Sequence, residues 1–311
     1  MIEVAADGTH FAALGLLESN SGNVQMNHYS KCRLLSSLSL LFALLTIAGM
    51  PAICSAQDSG ADVAGAQEQE GLAKQLANPI ASLISVPMLL EYEQDIGPAD
   101  DGDRLKLTIQ PVIPFKLNEK WNLISRTILS VVDQSDIFPG SGSQSGTGDT
   151  LQSLFFSPQA PTSGGWIWGV GPAFSLPTGS DDLLTSDKWG LGPTAVALKQ
   201  NGPITVGVLA NHIWSVAGDD DRADINNTFV NPFVTYTTPK GLSYTAFVDL
   251  NKDWESDQSS TSISLGTTKV TRIGKQLVSY GGFLKYWADD TNTTPEGVSF
   301  RIQLTLLYPK R

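Results

Sequence analysis

Beyond residue 56 the chain holds one histidine, His212, in the run Ala210-Asn-His-Ile-Trp-Ser215. A histidine near a serine is what a nucleophile and its general base require, within hydrogen-bond reach of each other. On an extended strand, however, side chains three residues apart leave from opposite faces. His212 therefore reads as a wall residue, and no enzyme is expected. The densest acidic run, Asp219-Asp-Asp-Arg-Ala-Asp224, lacks the glycine and the spaced oxygen ligands of an EF-hand loop. It implies a solvated loop or a rim that attracts divalent cations diffusely, with no metal cage and no cofactor. A third set is spread along the chain: Glu91, Glu93, Lys106, Arg126, Asp249, Lys285 and Arg301. Each falls on the polar phase of an alternating segment, so their chemistry depends on what those segments build.

The segments follow a leader. From Met26 the sequence reads MNHYSKCRLLSSLSLLFALLTIAGMPAICSA, with Lys31 and Arg33 ahead of the apolar run Leu34–Met50 and small residues at 54–56. That order is a secretory signal peptide, placing it at 26–56. Residues 1–25 carry neither a targeting nor a core-forming pattern and read as an upstream start or a disordered segment. Both cysteines, Cys32 and Cys54, fall inside the signal, so the mature chain has no disulfide and no thiolate site. Setting aside Lys31, Arg33, Glu3, Asp7 and Glu18 leaves 18 basic against 28 acidic residues from Gln57 onward. An acidic chain without basic clusters argues against nucleic-acid binding.

After residue 56 no run of apolar residues is long enough for a helical span. A transmembrane strand needs only about 9–11 residues, apolar outside and polar inside. Gln57 to Pro79 is polar and reads as a periplasmic leader with a short helix near Glu70–Leu76. From Ile80 onward period 2 dominates. Leu105, Leu107 and Ile109 alternate with Lys106, Thr108 and Gln110; Phe300, Ile302, Leu304, Leu306 and Tyr308 alternate with Arg301, Gln303 and Thr305. Twelve segments follow, at 80–93, 103–114, 121–132, 150–157, 165–176, 189–199, 203–216, 226–238, 241–251, 259–270, 274–287 and 297–308. They outlast the usual globular strand of about 5–6 residues.

Their connections alternate short and long. Lys and Arg gather at the short ones (Lys116, Lys120, Lys199, Lys240, Lys269, Arg272), whereas Asp gathers at the long ones (Asp100, Asp133, Asp181, Asp219, Asp289). Tryptophan and tyrosine cluster at segment ends, where barrels place interfacial rings. The expectation is an all-β protein: a transmembrane, antiparallel, up-and-down β-barrel of about twelve strands over residues 80–309, in the outer membrane of a Gram-negative bacterium. Hairpin arithmetic then sets Glu91 opposite Lys106, with Lys106 near Arg126 and Arg301 near Glu91 or Glu93 across the closing seam. A charge ladder of this kind would keep the lumen polar, as a plug of ion pairs or as a lining that orients a ligand.

Several stretches are similar to one bacterial family. Leu76-Ala-Asn-Pro-Ile80 with Ile84-Ser-Val-Pro87, Ile109-Gln-Pro-Val-Ile-Pro114 and Trp121-Asn-Leu-Ile-Ser-Arg-Thr127 resemble the opening strands of the family named for the MetA-pathway of phenol degradation. Gly148-Asp-Thr-Leu-Gln-Ser-Leu-Phe-Phe-Ser-Pro158, Gly169-Val-Gly-Pro172 and Leu176-Pro-Thr-Gly179 continue the match, which spans residues 72–309. The resemblance implies an outer-membrane transporter or channel for small aromatic or hydrophobic molecules, with membrane lipid and a small solute as partners. A structural or adhesive barrel presenting its acidic loops is the alternative. The membrane reading predicts that the protein fractionates with outer membranes and migrates faster on a gel unboiled than boiled. Recovery as a soluble periplasmic protein would refute it.

Overall fold

The computed structural model describes residues 60–288 and 294–309. Residues 1–25, the stretch 26–56 expected to be a signal peptide, Asp289, Asp290, Lys310 and Arg311 lie outside the described residues. A helix, α1 (Gly60–Leu76), precedes a wall of twelve antiparallel strands. These are β1 (Ile84–Ile96), β2 (Gly102–Ile109, resuming as Val112–Lys116), β3 (Trp121–Ser135) and β4 (Ser143–Thr147, resuming as Thr150–Pro158). Then follow β5 (Trp166–Leu176), β6 (Lys188–Asn201), β7 (Ile204–Gly218), β8 (Asn226–Thr237), β9 (Leu242–Asp253), β10 (Ser259–Ile273), β11 (Gln276–Trp287) and β12 (Val298–Tyr308). Each pairs with the next, and β12 pairs with β1 from Ile84↔Tyr308 to Tyr92↔Phe300, closing the barrel.

Two wall strands are interrupted for visible reasons. In β2 the break falls at Gln110-Pro111, where proline cannot donate to the ladder. In β4 it falls at Gly148-Asp149, where the buried Asp149 carboxylate turns to the loop after β5. It accepts hydrogen bonds from Gly179 N, Thr185 Oγ1, and both the amide and the hydroxyl of Ser186. The first strand begins at Ile84, not at residue 80, because Asn78 and Pro79 turn the chain inward. Asn78 Oδ1 accepts from Ile80 N at 3.0 Å, and Ile80 packs in the barrel's interior cluster. The leader helix is also longer than the short helix near 70–76 expected from its sequence.

Short turns use glycine where φ is positive, as at Gly202 (φ 56) and Gly274 (φ 60). The long connections use aspartate for the same purpose: Asp95, Asp100, Asp136, Asp187 and Asp257 all have positive φ. Aspartate tolerates that region better than most residues, so part of the loop acidity is conformational.

The outer face is an apolar belt that includes Val206, Val208, Leu265, Ile302 and Leu304, all exposed. Trp166, Tyr236, Tyr244 and Tyr308 ring its short-turn end, and Trp189, Trp214, Trp254 and Tyr286 ring the other. Such a belt is unstable in water and is what a lipid-facing wall requires.

From Ala64 onward the helix belongs to the same compact unit as the barrel. Leu72, Ala73 and Leu76 pack on Ala81, Leu83, Val270, Leu277 and Leu307 at the short-turn end. Gln200 Nε2 donates to Lys74 O at 2.8 Å, and Arg272 Nη2 meets Glu68 Oε1 at 3.1 Å. Burying Leu72 and Ile80 is worth ~1.5–3 kcal/mol each, whereas an exposed ion pair such as Arg272–Glu68 adds ~0–1 kcal/mol. Apolar contact, not charge, seats the leader. Within β7, Val208→Arg at mid-wall should destabilise the barrel by ~2–4 kcal/mol, whereas Val216→Arg near the rim should cost ~0–1 kcal/mol. Denaturant titration in lipid vesicles checks the difference; equal costs would place the belt outside the bilayer.

Candidate functional site

The strand register brings most of the inward charged residues to one region of the interior. Position 91 pairs with 106 on β2 and with 301 on β12, and position 93 pairs with 104. Directly opposed residues share a face, so Glu91, Glu93, Arg104, Lys106 and Arg301 all point inward. Lys285 joins them from β11, where its neighbour in the ladder is Ser299.

Glu91, 1% exposed, is the hub. One carboxylate oxygen accepts from Arg301 Nε at 3.1 Å and Nη2 at 2.8 Å, and the other accepts from Lys285 Nζ at 2.9 Å. Lys285 Nζ also lies 3.5 Å from Glu93 Oε1. Arg104 Nη1 meets Glu93 Oε2 at 3.4 Å and its Nε donates to Gln134 Oε1 at 3.0 Å. Gln134 passes the chain of contacts to Gln144 at 3.2 Å. The network therefore ties β11, β12, β1, β2, β3 and β4 together across the seam. Two aromatic rings complete it: Lys285 Nζ lies 4.0 Å from the Trp287 ring centroid, and Arg301 Cζ lies 5.5 Å from that of Phe247. A buried cation against a ring face gains electrostatic attraction in addition to its ion pairs.

Of the residues expected from sequence, all seven face inward, but they do not form one ladder. Glu91, Glu93, Lys106, Lys285 and Arg301 share the seam cluster. Lys106 is not beside Arg126: β2 pairs with β3 so that Lys106 lies opposite Val132, while Arg126 lies opposite Val112 and Ser153. The short turn after Lys116 sets that register and carries Arg126 about 20 Å along the strand, six residues at ~3.3 Å each. There Arg126 Nη2 donates to Gln110 Oε1 at 3.1 Å. Asp249 lies on another wall segment, accepting from Asn231 Nδ2 at 2.6 Å and from Ser262 Oγ at 3.4 Å. Arg104 was missed, although the same hairpin arithmetic that pairs 91 with 106 pairs 93 with 104. Gln134 and Gln144 were missed because both strands run further toward the long loops than their alternation suggests.

Beside these polar groups the interior holds an apolar layer, which alternation alone did not reveal. Phe155, Phe229, Phe233, Phe247 and Phe283 pack with Ile124, Leu198 and Leu209 in one cluster. Ile124, Phe155, Leu198 and Leu209 have no exposed surface. At that level the lumen is filled with side chains, as expected for a barrel near this size.

No family model matches the chain, and no curated protein matches it. Solved structures do. An outer membrane channel from Pseudomonas putida F1 superimposes with a TM-score of 0.58 at 14% identity, covering 73% of this chain and 96% of that one. What is shared is the outer-membrane barrel fold. The NanC porin (TM-score 0.44, 10% identity, 72% of this chain and 98% of that one) and outer membrane phospholipase A from Escherichia coli (0.43, 11%, 72% and 92%) are more distant.

His212 and Ser215 go separate ways. His212 Nδ1 lies 2.6 Å from Thr228 Oγ1, beside Trp214 near the long-loop rim, while Ser215 Oγ donates to Asp224 Oδ1 at 2.9 Å. Asp224 also meets Lys188 Nζ at 3.2 Å, and Arg222 lies 3.6 Å from Asp187, so the acidic segment is partly neutralised by the protein's own cations. The serine hydroxyl, then Lys188, holds the Asp224 carboxyl below its ordinary pKa.

Breaking one partner of a buried ion cluster leaves uncompensated charge in a low-dielectric interior. Glu91→Gln should cost ~3–5 kcal/mol, whereas Glu119→Gln, which breaks the exposed 2.7 Å pair with Lys116, should cost ~0–1 kcal/mol. Urea titrations of the two variants in vesicles test this; equal effects would mean that water reaches Glu91.

Proposed function

We propose that the protein is an outer-membrane transporter or channel for small aromatic or hydrophobic molecules, exported through a cleaved signal peptide and related to the MetA-pathway family that its strands resemble. The observation that carries this reading is the interior itself. An aromatic and aliphatic layer, with Phe155, Phe229, Phe233, Phe247 and Phe283 at its centre, occupies the lumen beside a charge cluster whose members pair with one another. Such a lining suits a solute that exchanges contacts with rings and disfavours a hydrated ion, which would have to shed water against hydrocarbon. Because the layer is packed, passage proceeds through side-chain displacement and is slow compared with an open porin.

The alternative is a structural or adhesive barrel. It is favoured by the way Asp149 and Arg222 fix the long loops: Arg222 Nη2 donates to Asp182 O at 2.7 Å and also to Thr185 O. A rigid external surface suits partner recognition as well as it suits a channel mouth.

Flux through proteoliposomes separates the two. The transport reading expects uptake of a small aromatic alcohol above that of a charged sugar, with little ionic conductance. It also expects Phe247→Ala with Phe283→Ala, whose rings lie 5.8 Å apart, to raise conductance several-fold. If neither the native protein nor the double variant passes solute, the barrel is structural.

A further inference from the structure

The outer wall departs from a smooth belt at one place. Between β8, β9 and β10 a groove of about 420 Å³ opens on the lipid-facing side. Its floor is Ala246, set by register between Val234 on one strand and Leu265 on the other. Leu265 is 59% exposed and stands well above it. Moving toward the short turns, the next row pairs Tyr236 with Tyr244, and Tyr244 with Thr267. The row after that sets Lys269 between Leu242 and Tyr280. Lys269 is two residues from Thr267 and four from Leu265, so it shares their outward face.

The wall thus grades over three rows from aliphatic, to phenolic, to cationic. Lys269 Nζ donates to the carbonyl of Lys240 in the turn between β8 and β9. An ammonium has three donors, so this contact fixes the charge at the groove's edge and leaves donors for another acceptor. The two tyrosines put phenol groups at interfacial depth, where an amphipathic ring has its apolar body in hydrocarbon and its hydroxyl near headgroups.

We propose that this groove binds one anionic diacyl phospholipid of the leaflet at the short-turn end. An acyl chain lies over Ala246, the ester region meets Tyr236 and Tyr244, and the phosphate meets Lys269. Charge complementarity selects this occupant. The long loops are acidic and repel anionic headgroups, while the short-turn end carries Lys240, Lys269 and Arg272. A second copy of the chain fits less well, because a two-fold contact through the groove would set each patch against its own copy and bring Lys269 toward Lys269.

Native mass spectrometry of the purified protein in detergent tests the site, with phosphatidylglycerol and phosphatidylcholine of equal chain length as probes. Wild type should retain one phosphatidylglycerol in preference to phosphatidylcholine. Lys269→Gln should weaken phosphatidylglycerol binding about fivefold, the effect of ~1 kcal/mol per interfacial lysine, and leave phosphatidylcholine unchanged. Ala246→Leu, which fills the floor, should remove both adducts. Faster migration of each unboiled variant shows that its barrel is intact, and Thr267→Leu on the same rim replaces Ala246→Leu if that variant does not fold. Equal retention of the two lipids, or a preference that survives Lys269→Gln, overturns the proposal. So does a two-barrel mass that disappears on filling the groove, which would assign the surface to a second copy.

Discussion

Hydrocarbon offers a backbone amide no hydrogen-bond partner, so a sheet can cross a bilayer only if its last strand returns to its first. Here that closure is the ladder from Ile84↔Tyr308 to Tyr92↔Phe300, and the other assignments follow from it. Once it is made, period 2 admits no choice about which side chains face lipid: Phe300, Ile302 and Leu304 go out, while Arg301, Gln303 and Thr305 go in. Closure also brings together residues 210 apart in sequence, Glu91 and Arg301, and each compensates the other's charge in the interior.

Burying that cluster is costly, and an ion pair in a low-dielectric interior adds little over apolar side chains of the same volume. The aromatic layer supplies the favourable burial. What the charges supply is a definite register. If the seam slipped by two residues, Glu91 would face Gln303 or Ser299 instead of Arg301, leaving charges uncompensated, while the apolar outer face would tolerate the slip. The ion cluster discriminates among closures that hydrophobicity alone would accept, as polar groups do when they fix register in other assemblies.

The wall was legible in the sequence because lipid imposes the same alternation on every strand, and the sorting of Lys and Arg to short turns and Asp to long loops acted as a check on the count. Pairings one hairpin apart were legible too, since Glu91 opposite Lys106 depends only on the one loop that joins β1 to β2. Beyond one hairpin the inference failed at Arg126, because its position depends on the β2–β3 turn and on the break at Pro111, neither of which alternation reports. The apolar layer inside the barrel was not legible for a related reason. On strands such as Leu242–Asp253 and Gln276–Trp287 both faces are apolar near the middle, so Phe247 and Phe283 blend into the lipid-facing pattern. Ile80 was assigned to a strand because its apolar side chain suits either a wall or a core, and only the Asn78 turn decides between them.

The two halves of the interior differ in how they can move. A phenylalanine in the layer can change rotamer within an apolar surround, losing packing contacts but no hydrogen bonds, and dispersion contacts are individually small. A displacement of Lys285 or Arg301 of comparable size would separate each cation from the Glu91 carboxylate that compensates it. In the transport reading, a route for solute therefore runs along the aromatic side, bounded by β4, β8 and β9 and by Phe283 of β11, and the seam cluster is its fixed wall. The leader stands at the short-turn end of that route, held by Leu72, Leu76 and Ile80 and by few polar contacts. Its attachment, like the phenylalanine layer, rests mainly on apolar packing and not on charge.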